Sequence, residues 1–153
     1  MANLVVTHTE SLTLNGSQQG GTITKTISGI NEVSKRLLTI TTNEATIATM
    51  SAAVGSAGHF NDSTVRYMRF TNLDGTNHVT LTFTNAANDE FAIKVDAGNT
   101  LAIYADNSCG MVAMFNATQA ADAGSDTALG SITIVQADAG ASTVQIEMFV
   151  AST

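Results

Sequence analysis

In the stretch Val79-Thr80-Leu81-Thr82-Phe83-Thr84, apolar side chains and threonines alternate at every position. Because successive side chains of a β-strand point to opposite faces, this alternation predicts a strand with one buried face and one polar face. Half-buried strands of this kind are typical of antiparallel sheets. The stretch therefore favours a β fold, and the neighbouring sequence extends the pattern.

Alternating strands separated by turn residues predict a series of hairpins. The run Arg66–Asn72 precedes the strand at His78–Thr84, and the linking residues Leu73-Asp74-Gly75-Thr76 contain the Asp-Gly pair typical of tight hairpin turns. The same reasoning predicts two more hairpins, Phe91–Val95 with Leu101–Ile103 across the turn Asp96–Asn99, and Ile132–Gln136 with Val144–Val150 across the turn Ala137–Gly140.

The remaining segments are less regular. Strands are predicted at Leu4–Thr9, Ser11–Leu14, Thr22–Ile27 and Val33–Thr42, with Asn15-Gly16 as a break. Glu44–Met50 fits either a continuation of the preceding strand or a short helix. Long loops are predicted at Ser51–Gly58 and Asn116–Gly130, and a strand at Met111–Phe115.

Short strands at roughly ten-residue spacing predict an all-β, antiparallel β-sandwich that is jelly-roll-like, with about eight strands. The 153 residues fit a single domain spanning 1–153, in which residues 1–14 form an extended arm. Proline is absent, only six residues are Lys or Arg, and charged residues make up 12% of the chain. Edge strands therefore lack their usual protection, and we expect a homo-oligomer or a larger assembly to cover them.

Charge and composition exclude several classes of partner. A net charge of -7 with six basic residues does not suit nucleic acid, whose phosphates need clustered Lys and Arg. The sequence has no apolar run of membrane-spanning length and no signal-peptide pattern, so we expect a protein made in the cytoplasm that does not bind membranes. The single cysteine, Cys109, precludes an internal disulfide framework.

The sequence contains no recognisable catalytic or cofactor motif. His8, His59 and His78 lie in different segments without ligand spacing, so we expect no metal, no cofactor and no enzyme activity. Tyr67 and Tyr104 alternate out of phase with their apolar neighbours, which places them on the face away from the core. Together with Arg69, which could bridge to an acidic neighbour, they are our candidate interface residues.

The second half of the chain resembles a known class of proteins. Tyr67–Asp74, His78–Leu81, Phe91–Asn99 and Glu147–Ala151 are similar to segments of small virion proteins of tailed bacteriophages, and the resemblance covers residues 64–153. It implies a structural protein located in the virion and made in the host cytoplasm. Its partners would be the major capsid protein or other virion proteins.

Three functions are compatible with these observations. The leading hypothesis is a capsid decoration or cement protein that stabilises the head through contacts with capsid subunits and with copies of itself. A tail, connector or fibre subunit is the alternative within the virion. A carbohydrate-binding β-sandwich module is the alternative from another class, and Tyr67 or Tyr104 would then form the sugar platform.

Overall fold

The computed structural model describes residues 1–52, 55–86, 88–104 and 132–153. Within these ranges the chain forms strands and no helix, and hence no helix that could span a membrane. The strands are β1 (Ala2–Thr9), β2 (Thr13–Leu14), β3 (Ser17–Gln18), β4 (Thr22–Ile30), β5 (Glu32–Ile40), β6 (Ala45–Met50), β7 (His59–Phe60), β8 (Val65–Asn72), β9 (Val79–Asn85), β10 (Glu90–Val95), β11 (Thr100–Tyr104), β12 (Ile132–Ala139) and β13 (Val144–Ser152).

Two sheets form the body of the protein. One has the strand order β11-β8-β13-β5 and the other the order β10-β9-β12-β6-β7, and every neighbouring pair except β6 with β7 is antiparallel. The pairs are nested in sequence: β9 with β10, then β8 with β11, β6 with β12, and β5 with β13. Eight strands paired in this nested way across two sheets form a jelly roll. The predicted all-β, antiparallel, jelly-roll-like sandwich is therefore confirmed.

A single apolar core lies between the two sheets. Phe70 of the four-stranded sheet meets Phe83 of the five-stranded sheet edge to face, with ring centroids 6.1 Å apart, and Phe83 stacks on Phe91 at 4.9 Å. Around these rings, alternate residues of each strand point inward, as the sequence pattern predicts. The largest fully buried side chains are Phe70, Phe83, Met68, Leu81, Ile132, Ile146, Met148, Val65, Val79, Val135 and Val144.

All three predicted hairpins are wrong, although their strands are present. β8 and β9 belong to different sheets, and so do β10 and β11, and β12 and β13. Each turn therefore carries the chain across the sandwich. At the first of these turns, Gly75 is not among the glycines with positive φ, which a type I′ hairpin turn requires. Instead the carboxylate of Asp74 accepts hydrogen bonds from the amides of Thr76, at 2.8 Å, and Asn77, at 2.6 Å.

Asn72 stabilises the turn in which the chain passes from β8 in one sheet to β9 in the other. Its side chain is buried, and its Nδ2 donates to the carbonyls of Asn77 at 2.9 Å and Val95 at 3.1 Å, while its Oδ1 accepts from the amide of Asp74 at 3.0 Å. Its backbone amide donates to the carbonyl of Asn99. One side chain thus ties the turn after β8 to the turn after β10, which lies beside it at the same end of the sandwich.

The N-terminal ribbon, residues 2–30, is a long hairpin that lies outside the sandwich, against the outer face of the four-stranded sheet. β1 pairs with β4, β2 pairs with β3, and the register is continuous from Leu4 opposite Ile27 to Leu14 opposite Ser17. Asn15 and Gly16, with φ of 53° and 77°, form the two-residue turn at its end. The segment 1–14, predicted as an arm, is one strand of this ribbon.

The structure also settles one alternative. Glu44–Met50 fitted either a continued strand or a helix, and residues 45–50 form the separate strand β6 in the opposite sheet from β5. The predictions for Cys109, Met111–Phe115 and Asn116–Gly130 lie outside the described residues, as do residues 53 and 54 of the predicted loop at Ser51–Gly58.

Candidate functional site

The outer face of the four-stranded sheet carries an aromatic cluster beneath the base of the ribbon. Register places Tyr67 of β8 opposite Tyr104 of β11 on one side and Ala151 of β13 on the other. Ile27 and Ile30 of the ribbon pack on these residues as a second apolar cluster, separate from the main core. The partly buried side chains packed around it are Leu4, Val6, Ala102, Tyr104 and Phe149.

Tyr67 lies at the centre of this cluster. Only 5% of the residue is exposed, and its ring makes edge-to-face contacts with Tyr104, at 5.2 Å between centroids, and Phe149, at 6.1 Å. Burial raises the pKa of the phenol, and the neighbouring Tyr104 adds to the effect. Because the ribbon covers it, Tyr67 presents no open ring face to a sugar.

Arg69 lies next to the aromatic cluster. Its guanidinium forms an ion pair with Glu147 and sits 5.5 Å from the centre of the Phe149 ring. Glu147 also binds Lys35, with Nζ 2.8 Å from Oε2. The hydrogen bond from Lys35 is the main cause of a lowered Glu147 pKa, with Arg69 contributing. The acidic neighbour expected for Arg69 is therefore Glu147 of the adjacent strand.

The structure brings the three candidate interface residues together, on one face of one sheet. Tyr67 and Tyr104 point away from the main core, as their sequence phase predicts, and Arg69 follows two residues after Tyr67 on the same strand face. The contacts described for them are made within the chain. Within the described ranges, most of the exposed large apolar side chains lie elsewhere, on the N-terminal segment and on β5.

The ribbon tip, residues 9–22, carries exposed apolar side chains. Every residue from 7 to 19 is exposed, including Leu12 at 55% and Leu14 at 57%. The continuous register and the two-residue period of the strand place Glu10, Leu12 and Leu14 on the same face of the ribbon. This face continues the one that covers Tyr104 through His8, whose Nε2 lies 2.5 Å from the Tyr104 hydroxyl.

At the opposite side of the sandwich, a cavity of about 340 Å³ opens between the two sheets. We call it the edge slot. β5, the last strand of its sheet, contributes Arg36, Leu38 and Ile40, and the facing wall includes Ile47 and His59. Arg36 is half-buried and, in the described part of the chain, forms no ion pair. Leu37, on the other face of the same strand, is 62% exposed.

Sequence reasoning missed the edge slot. Arg36, Leu38 and Ile40 share one phase of the alternation, so an arginine on an otherwise apolar strand face was visible in the sequence. The second wall of the slot comes from β6 and β7, and no local pattern reveals which strand faces β5.

The histidines occupy unrelated places. His8 contacts Tyr104, His59 lines the edge slot, and the imidazole of His78 lies against Gly140. Across residues 1–52, 55–86, 88–104 and 132–153, no group of three or more His, Cys, Asp or Glu side chains could hold a metal ion.

Comparison of the chain with protein-family models, with curated proteins and with solved structures found no match.

Proposed function

We propose that the protein is a structural subunit of a bacteriophage virion, of the capsid decoration or cement type, which acts by packing against capsid subunits and against copies of itself. The observation that carries this proposal is the N-terminal ribbon. It is a two-stranded element whose tip exposes apolar side chains, attached to a sandwich whose β5 edge has no partner among the described strands. An isolated hairpin of this kind is marginally stable in water unless it packs on another surface.

The construction of the protein suits a role in assembly. The sandwich has an apolar core of its own, and the ribbon is anchored to it by the Tyr67 cluster. Strand edges and exposed apolar side chains are the elements through which chains add to one another. In a symmetric shell, many such contacts act together, so each can be individually weak.

A tail, connector or fibre subunit is the second form of the proposal, because a ribbon that docks on the next copy produces rings or filaments as readily as clusters on a capsid. The carbohydrate-binding alternative is disfavoured by the burial of Tyr67, one of its two candidate platform residues.

Particles purified from the culture that carries the gene would test the proposal. We expect peptides of the chain in these particles by mass spectrometry, and antibody against the purified chain should label them in electron micrographs. Label on heads supports a decoration protein and label on tails supports a tail subunit. Particles that contain neither label nor peptides would contradict a virion role.

A further inference from the structure

We infer that the ribbon tip of one copy docks along β5 of a second copy, with Glu10 of the tip paired to Arg36 in the edge slot. This inference deepens the proposed function by naming the surfaces of self-association. It is tested on the purified chain alone, without particles, so that its failure and the failure of the virion role can be told apart.

The two surfaces lie at opposite sides of the molecule. The ribbon crosses the outer face of the four-stranded sheet and reaches Tyr104 on β11, the strand at one end of that sheet, through His8. The exposed tip follows directly after His8. β5 is the strand at the other end of the sheet, and its outer edge has no partner among the described strands. A tip therefore meets the β5 edge most simply on the next molecule.

Exposed apolar side chains are concentrated on these two elements. Among the residues that the structure describes, eight large apolar side chains are exposed: five lie in residues 1–30, two lie on β5, and the eighth is Leu73. Those in residues 1–30 are Met1, Val5, Leu12, Leu14 and Ile23, and those on β5 are Val33 and Leu37. A contact between the tip and β5 would remove Leu12 and Leu14, the exposed leucines of the tip, from water.

The charges and spacing of the two strands are complementary. Glu10, Leu12 and Leu14 occupy alternate positions of the tip, and Arg36, Leu38 and Ile40 occupy alternate positions of β5. A parallel alignment that sets Glu10 beside Arg36 also sets each leucine of the tip beside an apolar side chain of the slot. Glu10, like Arg36, forms no ion pair in the described part of the chain.

Strand addition would also satisfy the backbone of the β5 edge. An unpaired edge presents a row of amides and carbonyls, and an added strand provides their hydrogen bonds while its alternate side chains enter the adjacent pocket. The edge slot, with about 340 Å³ of space beside Leu38 and Ile40, lies where the leucines of such a strand would enter. Because the tip and the edge are different surfaces, the contact is head to tail and repeats from copy to copy.

The test is charge reversal followed by light scattering of the purified chain over a tenfold concentration range. We expect the wild-type mass to rise with concentration, and Glu10→Arg or Arg36→Glu alone to lower the association constant by at least about tenfold, because like charges then face each other. The double variant should recover wild-type association. An equimolar mixture of the two single variants should also recover it, since each tip then meets a slot of opposite charge on the other chain.

Lys94→Glu and Glu90→Arg on β10 are controls for charge reversal at a distant site, on the far edge of the five-stranded sheet, where Lys94 pairs with Asp96 and Glu90 accepts a hydrogen bond from Thr84. We expect them to associate like the wild type. The inference is overturned if the wild-type chain remains monomeric throughout the range, if both reversals associate normally, or if neither the double variant nor the mixture recovers. Circular dichroism of each single variant separates lost association from lost folding, and recovery in the mixture does so independently.

Discussion

Replacing Asn72 with alanine should destabilise the whole sandwich, although the substitution removes only a small polar side chain. The side-chain Nδ2 of Asn72 donates hydrogen bonds to the carbonyls of Val95 and Asn77, and its Oδ1 accepts one from the backbone amide of Asp74. Alanine leaves all three groups without these partners. The bond to Val95 is buried, and the other two are half-buried.

The size of the effect follows from these three bonds. Loss of the partner of a buried carbonyl costs about 1–3 kcal/mol, and each half-buried bond adds about 0.5–1.5 kcal/mol. The expected loss for Asn72→Ala is therefore about 4 kcal/mol in the free energy of unfolding. For a chain of this length, each kcal/mol lowers Tm by about 2–4 °C, so Tm should fall by about 8–16 °C.

Urea unfolding monitored by circular dichroism is the appropriate assay, with the m-value checked for unchanged two-state behaviour. Asn72→Asp should be no better than alanine, because it sets a carboxylate oxygen against two carbonyl oxygens. Asn43→Ala, at an exposed loop position, is the control and should stay within about 0.5 kcal/mol of the wild type. If Asn72→Ala lowered the free energy of unfolding by less than about 1 kcal/mol, the proposed role of this side chain in stabilising the turn between the sheets would be refuted.

Two further predictions concern a carboxylate and a turn. The hydrogen bonds from Asn77 and Thr76 lower the Asp74 pKa below its ordinary value of 3.8, so Asp74 contributes stability above about pH 3.8 that is lost as pH falls through the lowered value. Asp74→Asn should therefore reduce the dependence of the urea midpoint on pH below pH 4, and an unchanged dependence would contradict this. Gly16→Val should destabilise the ribbon tip by about 1–2 kcal/mol, because the residue has a φ of 77°. Amide hydrogen exchange should accelerate at Leu14 and Ser17 while Tm of the sandwich stays constant, and equal protection of the two amides in variant and wild type would argue against it.

The positions of the strands could be predicted from the sequence because alternation is a local property. β9, for example, is identified by Val79, Leu81 and Phe83 without any knowledge of its partners. The outward orientation of Tyr67 and Tyr104 followed from the same rule, since their phase is opposite to that of the core residues.

The pairing of the strands could not be predicted in this way. Asp74-Gly75 and Asn15-Gly16 are similar turn signals, yet the first crosses between sheets and the second closes a hairpin. The difference depends on the contact of Asn72 with Val95, which belongs to a strand two elements later. Two other contacts also join residues that are distant in sequence: Ile27 covers Tyr67, and β6 faces Arg36. No local pattern encodes either contact.

The nested pairing of the strands has a consequence for synthesis of the chain. Among the four nested pairs of the sandwich, β9 and β10 are consecutive elements, whereas β5 pairs with β13, about a hundred residues later in the chain. At about 5–20 residues per second, β5 remains without β13 for on the order of ten seconds while the ribosome synthesises the residues between them. Folding dominated by such distant contacts is slow, on the scale of milliseconds to seconds after release. Newly made chains therefore expose β5, including Val33 and Leu37, during translation in crowded surroundings, and chaperone demand should be highest before β13 emerges.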